Sequence, residues 1–568
     1  MERRVFLAIF LSFIVLVVYQ TQFAPKPPVE TAAATPSPQV VGGGVSPTPA
    51  VNSPAPAPAG AETAPVSSAK PLVADAAARD ITVETDMVTA IFSSRGAVLK
   101  SYRLKIYLDA KGEPLELLPT DLADAPRPFV IATDDAKESA TLAAALYQPS
   151  VDHLSLGSEP GTLTFEYRDD AGLSARKTFY FQPDRQPYVI NLETAVDVRS
   201  APRPVTIGFG PGIGVGYSAD GSRYTDPRAF QSLDGSIQRL GHADVLKQSR
   251  YEGAIRFTGV DDHYFLAVAI PATPKSRTDF SAVTVPVPGN TAGLMRNFVA
   301  FSVRPDAGAA PSEAVKTRFY IGPKVFNQLH AADVELVRAI DFGMFRVIVV
   351  PLLQALQWVH GFVGNWGWAI VVLTVLINIL IFPLRHRSMV SMKKMQAIQP
   401  QVKAIQDRYA KYKVTDPERQ KMNTEMLALY KQKGVHPASG CLPMLLTMPI
   451  LLAFYNLLNY AIELRGAPFV GWIHDLSAKD PTYIWPVLMG ATMFWQQRMM
   501  PTTADPMQQK IFLLMPVIFT FMFLNVPSGL VVYWLVSNLL TIGQQYLTNR
   551  ITSGPGAPKA TSVALGKG

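Results

Sequence analysis

The chain has 568 residues, 48% of them hydrophobic, a formal net charge of +8 and one cysteine. That length is enough for several domains, and the lone Cys441 excludes an intrachain disulfide, so any exported part must stand on its packing alone. The averages hide a polar first half and a very apolar second half. The basic excess sits in loops between apolar runs, so it reads as membrane topology before it reads as nucleic-acid binding, and no DNA partner is expected.

Residues 1–23 place Arg3 and Arg4 ahead of an apolar run from Val5 to Tyr19. No small-x-small cleavage site follows, and Pro25 comes directly after Ala24. An uncleaved anchor with a cytoplasmic N-terminus is therefore expected in preference to a cleaved signal peptide. Residues 24–79 are rich in Pro, Ala, Ser, Thr and Gly and read as a disordered tether. From 80 to 324 the pattern changes to period two, as in LTFEY (Leu163, Phe165, Tyr167), TVETD, KTFYF and HYFLAVAIP. Such runs, broken by Gly, Pro and Asp, predict one large antiparallel β-sandwich, placed outside the cytoplasm by the N-in anchor. It carries no metal-ligand spacing and no nucleophile motif, and no cofactor is expected.

Residues 325–360 predict an interfacial amphipathic helix, because Asp333, Glu335, Arg338, Asp341 and Arg346 argue against a span. Five spans are then expected within 361–550: Phe362–Leu384, Leu442–Ile462, Tyr483–Met500, Ile511–Val526 and Leu530–Leu547. The loop between the first two holds twelve Lys/Arg against four Asp/Glu; the next, 463–482, holds two against three. Short basic loops stay in the cytoplasm, so both termini, the basic loop and the tail 551–568 are expected there.

The basic loop, 385–439, has helical logic. Met392, Met395, Ile398, Val402, Ile405, Tyr409 and Tyr412 recur at three- and four-residue steps. Asp416 can cap a second helix with Pro417 at its first position, and Gly434 can end it. The prediction is an antiparallel hairpin with an apolar seam, a kink at Pro400, and Arg387, Lys393, Lys394, Lys403 and Arg408 outward as contacts for a partner. Ribosomal RNA and anionic lipid both fit that charge.

No P-loop, HExxH or GxSxG is present, and no ionisable group lies well inside the five spans, which argues against an ion-coupled transporter. The spans instead hold uncharged polar residues, among them Thr374, Asn378, Thr447, Asn456, Asn459, Gln496, Gln497, Asn525, Ser537 and Asn538, with several prolines. Helix–helix hydrogen bonding accounts for any one of them; together they suggest a wetted cavity. Thr374 and Asn378, four apart, share a helix face.

The runs WVHGFVGNWGWAI (358–370), GCLPMLLTMPI (440–450), ELRGAPFVGWIHDLSAKDP (463–481), MGATMFWQQRMMPTTADPMQQKI (489–511) and MPVIFTFMFLNVPSGLVVYWLVSN (515–538) resemble the YidC membrane protein insertases of Gram-negative bacteria. The resemblance covers the whole layout and is densest over 340–550. It implies a polytopic α-helical inner-membrane protein with an N-terminal anchor, a five-helix core, a cytoplasmic helical hairpin and a large all-β periplasmic supersandwich. It implies an insertase and folding chaperone, not an enzyme, whose partners are nascent membrane proteins, the Sec translocon, membrane lipids and the ribosome. The expected hydrophilic groove takes in Thr374, Asn378, Arg385, Thr447, Gln496, Tyr533, Trp534 and Ser537, and Met392 and Met395 are expected among the contacts of the hairpin.

One position departs from the family pattern. An arginine is usual five residues before the span-ending proline, here Pro383, and this chain has Asn378. Arg385 lies seven residues on, within about 20° on the same helix face and about 10 Å nearer the cytoplasm. It can supply the missing charge by reaching back; it can equally be, with Arg387, an ordinary positive-inside anchor. The competing classes are a small-solute transporter and a periplasmic receptor with a membrane anchor.

Overall fold

The computed structural model describes residues 69–552 except 110, 121, 123–125, 214–226, 274, 287–294, 306–313, 413–415, 436–441 and 500–505. The expected anchor, most of the tether and the tail beyond Thr552 lie outside the described residues.

The alternating stretches become strands. Leu163, Phe165 and Tyr167 face the core from Gly161–Asp169, and Val189–Val198 alternates in the same way. Two sheets form, of fifteen and five strands. Phe92 of the smaller sheet packs on Phe179 of the larger, with ring centroids 4.8 Å apart, inside a cluster with Phe129 and Phe165. Three expectations need correction. The sandwich is not wholly antiparallel: Asp80–Thr85 runs parallel to His153–Gly157, with Thr82 opposite His153. The 67 residues between those two strands give the chain room for the crossover that a parallel return needs. The domain also begins before residue 80, because Pro71–Val73 pairs with the strand that ends at Asp169. And three short helices sit on it: α1 (Ala136–Ala144), capped by Asp135, α2 (His242–Lys247) and α3 (Phe326–Ala332).

Two lysines are buried in the β-domain. Lys177 donates to the carbonyls of Gly96 (2.6 Å), Phe129 (2.7 Å) and Ala97 (3.1 Å) and lies over the Tyr147 ring. Burial pulls its ammonium down to about 7. Lys324 pairs with Asp261 at 2.8 Å and donates to the Asp262 carbonyl.

The single interfacial helix expected over 325–360 is divided. After α3, Leu336–Ala339 and Gly343–Phe345 are 3₁₀ turns, and the long helix α4 (Arg346–Val363) begins only at Arg346. The charged residues explain the break. Arg256 of the sheet holds Asp333 at 3.0 Å and Glu335 at 3.1 Å, and Gly343 takes φ +58°, where glycine has no steric penalty.

The remaining helices are α5 (Trp366–Ala397), α6 (Gln399–Arg408), α7 (Pro417–Gln432), α8 (Leu442–Tyr460), α9 (Ile484–Met499), α10 (Pro506–Phe523) and α11 (Ser528–Thr552). Among the described residues, Gly343–Val363 and Trp366–Ala397 are long and apolar enough to cross a membrane. α5 packs between α4 and α11, and α9 between α10 and α11. Gly490 lets α9 close on α10: a Cβ there would meet Thr520 Oγ1 at 2.0 Å. α5 starts from Asn365, whose side chain accepts from Trp368 N, and runs thirteen residues past Leu384, so the expected hairpin starts inside one long helix. In place of the kink expected at Pro400, the helix is interrupted two residues earlier, at Ile398 (φ −90°, ψ −3°), and Pro400 sits in the first turn of α6, where its missing N–H costs nothing.

The hairpin seam follows the spacing. Ile398, Val402 and Val435 are buried together, with Met395, Met426 and Leu429 against them. Asp416 caps α7 by accepting from Glu418 N, and Gly434 takes φ +61°. The β-domain meets the helices at one corner. The His263 ring stacks on Tyr460 and its Nε2 lies 2.6 Å from the Asn459 carbonyl oxygen, while Arg465 lies over the Phe265 ring.

Candidate functional site

The helical core exposes large apolar side chains and buries several polar ones within its apolar packing. Leu380 and Phe521 are 80% and 70% exposed, while Thr374, Asn538, Gln545 and Thr548 are buried. In a β-domain that arrangement would be unstable; between helices in lipid it is what hydrogen-bonded packing produces.

The polar groups meet along the contact between α5 and α11. Thr374 donates to the Ile370 carbonyl one turn back, at 2.6 Å. Asn378 Nδ2 donates to the Thr374 carbonyl at 2.8 Å and reaches Ser537 Oγ at 3.4 Å. Its Oδ1 accepts from Arg385 Nη1 at 2.9 Å, and the same nitrogen reaches Thr541 Oγ1 at 2.7 Å. Thr541 spends its own proton on the Ser537 carbonyl, which leaves its oxygen as the acceptor. Further along, Gln544 Nε2 donates to the Phe382 carbonyl at 3.2 Å, beside the position where Pro383 interrupts the helix ladder. His386 Nδ1 meets Thr548 Oγ1 at 3.2 Å.

Arg385 therefore folds back toward Asn378, as its helical phase allows, and forms no ion pair among the described residues. Its guanidinium has five donors, and the two side-chain oxygens it touches are neutral. The seam consequently carries a half-buried positive charge with unused donor capacity.

Not all the expected groove residues join it. Tyr533 belongs to it by its hydroxyl, which bonds the Ser537 side chain near Arg385, while its ring stacks on Phe454 of α8 with centroids 4.2 Å apart. Trp534 lies against Phe519 and Phe523 of α10. One residue apart on a helix, the two point about 100° from each other, so they cannot line one wall. Gln496, on α9, is half-buried away from the seam, and the Thr447 side chain is outside the described residues. A second polar contact joins α9 and α11 through Asn538, which donates to Thr492 Oγ1 at 3.1 Å. Thr541, Gln544, Gln545 and Thr548 were missed because polar residues were followed only as far as Asn538. Their steps of three and four from Ser537 were the available signal.

On the hairpin, Arg387, Lys394, Lys403 and Arg408 are exposed, and Arg408 pairs with Glu425 at 3.0 Å. Met392 and Lys393 are half-buried, and Met395 packs into the seam. The His, Cys, Asp and Glu side chains form no metal-holding group among the described residues.

Residues 358–554 match the family described as "60Kd inner membrane protein", and residues 80–355 match the "YidC periplasmic domain". A "Membrane protein insertase YidC" of Pelobacter propionicus is 36% identical over 97% of this chain and 100% of its own length. That of Syntrophus aciditrophicus is 35% identical over the same shares. The chain belongs to the YidC membrane protein insertase family. A solved active YidC insertase with its first transmembrane domain resolved covers 84% of this chain and 95% of its own, at 17% identity and a TM-score of 0.34. As a family member, the chain is a membrane protein insertase of the inner membrane with a periplasmic domain, whose family model matches residues 80–355. Its work is insertion and not a covalent reaction, so the polar seam is to be judged by what it can solvate.

Proposed function

We propose that this chain inserts nascent hydrophobic segments by lodging their polar tails in the α5–α11 seam, with Arg385 as the charge that receives them. The observation that carries this is the pair of contacts from one Arg385 nitrogen to Asn378 and Thr541. Both acceptors are neutral side chains, so an acidic or carbonyl-rich tail can replace them without leaving a buried charge unpaired. Solvating the tail lowers the desolvation cost of its crossing. The attached apolar segment of about twenty residues then partitions into lipid along the exposed apolar flank, a step that is downhill without nucleotide.

The topology in this reading is N-in, with the β-domain periplasmic, five spans on α5 and α8–α11, and both termini and the hairpin cytoplasmic. α4, although long enough to span, lies across the periplasmic end of α8. The Phe342 carbonyl just ahead of it accepts from Asn456, and Gln357 within it donates to Glu463. The exposed cations of α5 and α6 suit the hairpin to first capture, by ribosomal RNA or by anionic headgroups. The same core works as a folding chaperone and beside the Sec translocon.

The test uses proteoliposomes that contain only this protein. A small single-span substrate is offered with an acidic or a neutral tail. Arg385→Ala should lower insertion of the acidic-tailed form several-fold more than the neutral one, and adding Asn378→Arg should restore it. Equal loss for both tails would remove Arg385 from this role and leave an uncharged polar seam. No insertion by the unaltered protein would reject the stand-alone reading.

A further inference from the structure

The strand Val98–Leu108 ends in Ile106, Tyr107 and Leu108, which alternate between its two faces. Tyr107 turns inward and meets the Phe265 ring edge-on, with centroids 5.9 Å apart. Phe265 and Tyr264 lie under the Arg465 guanidinium, at 5.4 and 5.8 Å. Next to them, His263 holds the end of α8 through Asn459 and Tyr460. Tyr107 also lies within electrostatic reach of Glu463, the residue that Gln357 of α4 binds. The tip of this strand is thus fixed beside both α4 and the end of α8.

Ile106 and Leu108 point the other way and are 56% and 53% exposed. Scattered exposed aliphatics need no explanation, but α4, which lies beside this tip, also exposes Trp358 and Phe362. The turn beyond is built to hold its shape. Asp109 Oδ1 accepts from Lys111 N at 2.8 Å and Glu113 N at 3.0 Å, so the acidic group is tied to the backbone while the Lys111 side chain is exposed.

We propose that Ile106 and Leu108 are a membrane foot of the β-domain: they enter the headgroup–acyl boundary of the periplasmic leaflet, with Lys111 at the phosphates. The occupant is the lipid surface because the strand tip lies beside α4, whose exposed Trp358 and Phe362 meet that boundary in the topology proposed above, on which this inference rests. The foot gives the domain a second attachment besides the chain itself and holds its corner level with the helix ends.

The experiment places one nitroxide at a time, through Ile106→Cys, Leu108→Cys, Phe362→Cys or Leu246→Cys, in a Cys441→Ser background of the full chain in proteoliposomes. Leu246 is an exposed aliphatic on α2, with no tie to the helix ends. Collisions with oxygen, which concentrates in lipid, are compared with collisions with a water-soluble nickel chelate. The expected result is an oxygen-to-nickel ratio at 106 and 108 that matches 362 and exceeds 246. A lipid-like ratio at 362 with water-like ratios at 106 and 108 overturns the foot and leaves the topology standing. Water-like ratios at all four positions overturn both.

Discussion

Lys177 in the β-domain and Arg385 in the helical core are both cations drawn out of water, and they are held in opposite ways. Lys177 is wholly buried, and its three donors end on three backbone carbonyls, groups that cannot move without moving strands. Arg385 is half-buried and ends on a carboxamide and a hydroxyl, which rotate in place. A cation tied to backbone specifies one structure, whereas a cation tied to side chains can change partners. The β-domain is built for permanence, and the helical core for exchange.

The largest effect that would break this contrast is at Lys177. Lys177→Met leaves three buried carbonyls without their donor and should cost the β-domain about 3–5 kcal/mol. Hydrogen exchange across Leu173–Phe181 in the full chain reads that loss. A cost under about 1 kcal/mol would mean that water replaces the ammonium freely, and the contrast would fail. Second, Gly490→Ala should cost about 2 kcal/mol by forcing α9 off Thr520 of α10, seen as a lower melting temperature of the detergent-solubilised chain. Such a loss would confine the exchangeable part of the core to the α5–α11 seam.

Third, pH should act on the β-domain through Lys177. The unfolded lysine releases its proton near 10.5, the folded one near 7. Between those values the unfolded state binds more protons, so stability should rise with pH from about 7 toward 10, by up to about 1.4 kcal/mol per unit. The slope should flatten below 7 and vanish in Lys177→Met; a denaturant series at several pH values checks it. The smallest effect is Thr541→Val, which removes one of two acceptors and leaves Asn378. It should weaken by about 1 kcal/mol the contact that a tail must displace, a roughly fivefold rise in insertion of acidic-tailed substrates.

Much of the architecture was legible because hydrophobic period is a local property. The strands over 161–181 and the cap and seam of the hairpin follow from spacing, and Arg385 could be aimed at Asn378 by helical phase alone. What was not legible depended on partners far away in sequence. The break in 325–345 is set by Arg256 on a strand, and the parallel pairing at Thr82 by a strand some seventy residues later. Tyr533 and Trp534 looked like a pair by adjacency, but helix geometry sends them to different neighbours. The polar run from Thr541 to Thr548 was readable too, because it continues from Ser537 in steps of three and four.

α5 is a lever. Its 32 residues extend about 48 Å, more than the hydrocarbon thickness, from Gly367 to the break at Ile398. Gly367 is the fulcrum, pressed so close to Phe469 that a Cβ there would lie 2.0 Å from the ring. Arg385 stands about 27 Å along the arm and the hairpin about 45 Å. A cargo that pushes the hairpin sideways therefore shifts Arg385 by about three-fifths as much, which is enough to strain hydrogen bonds of 2.7 and 2.9 Å. In the function proposed above, docking at the hairpin would in this way unlatch the guanidinium just as a polar tail arrives to claim it.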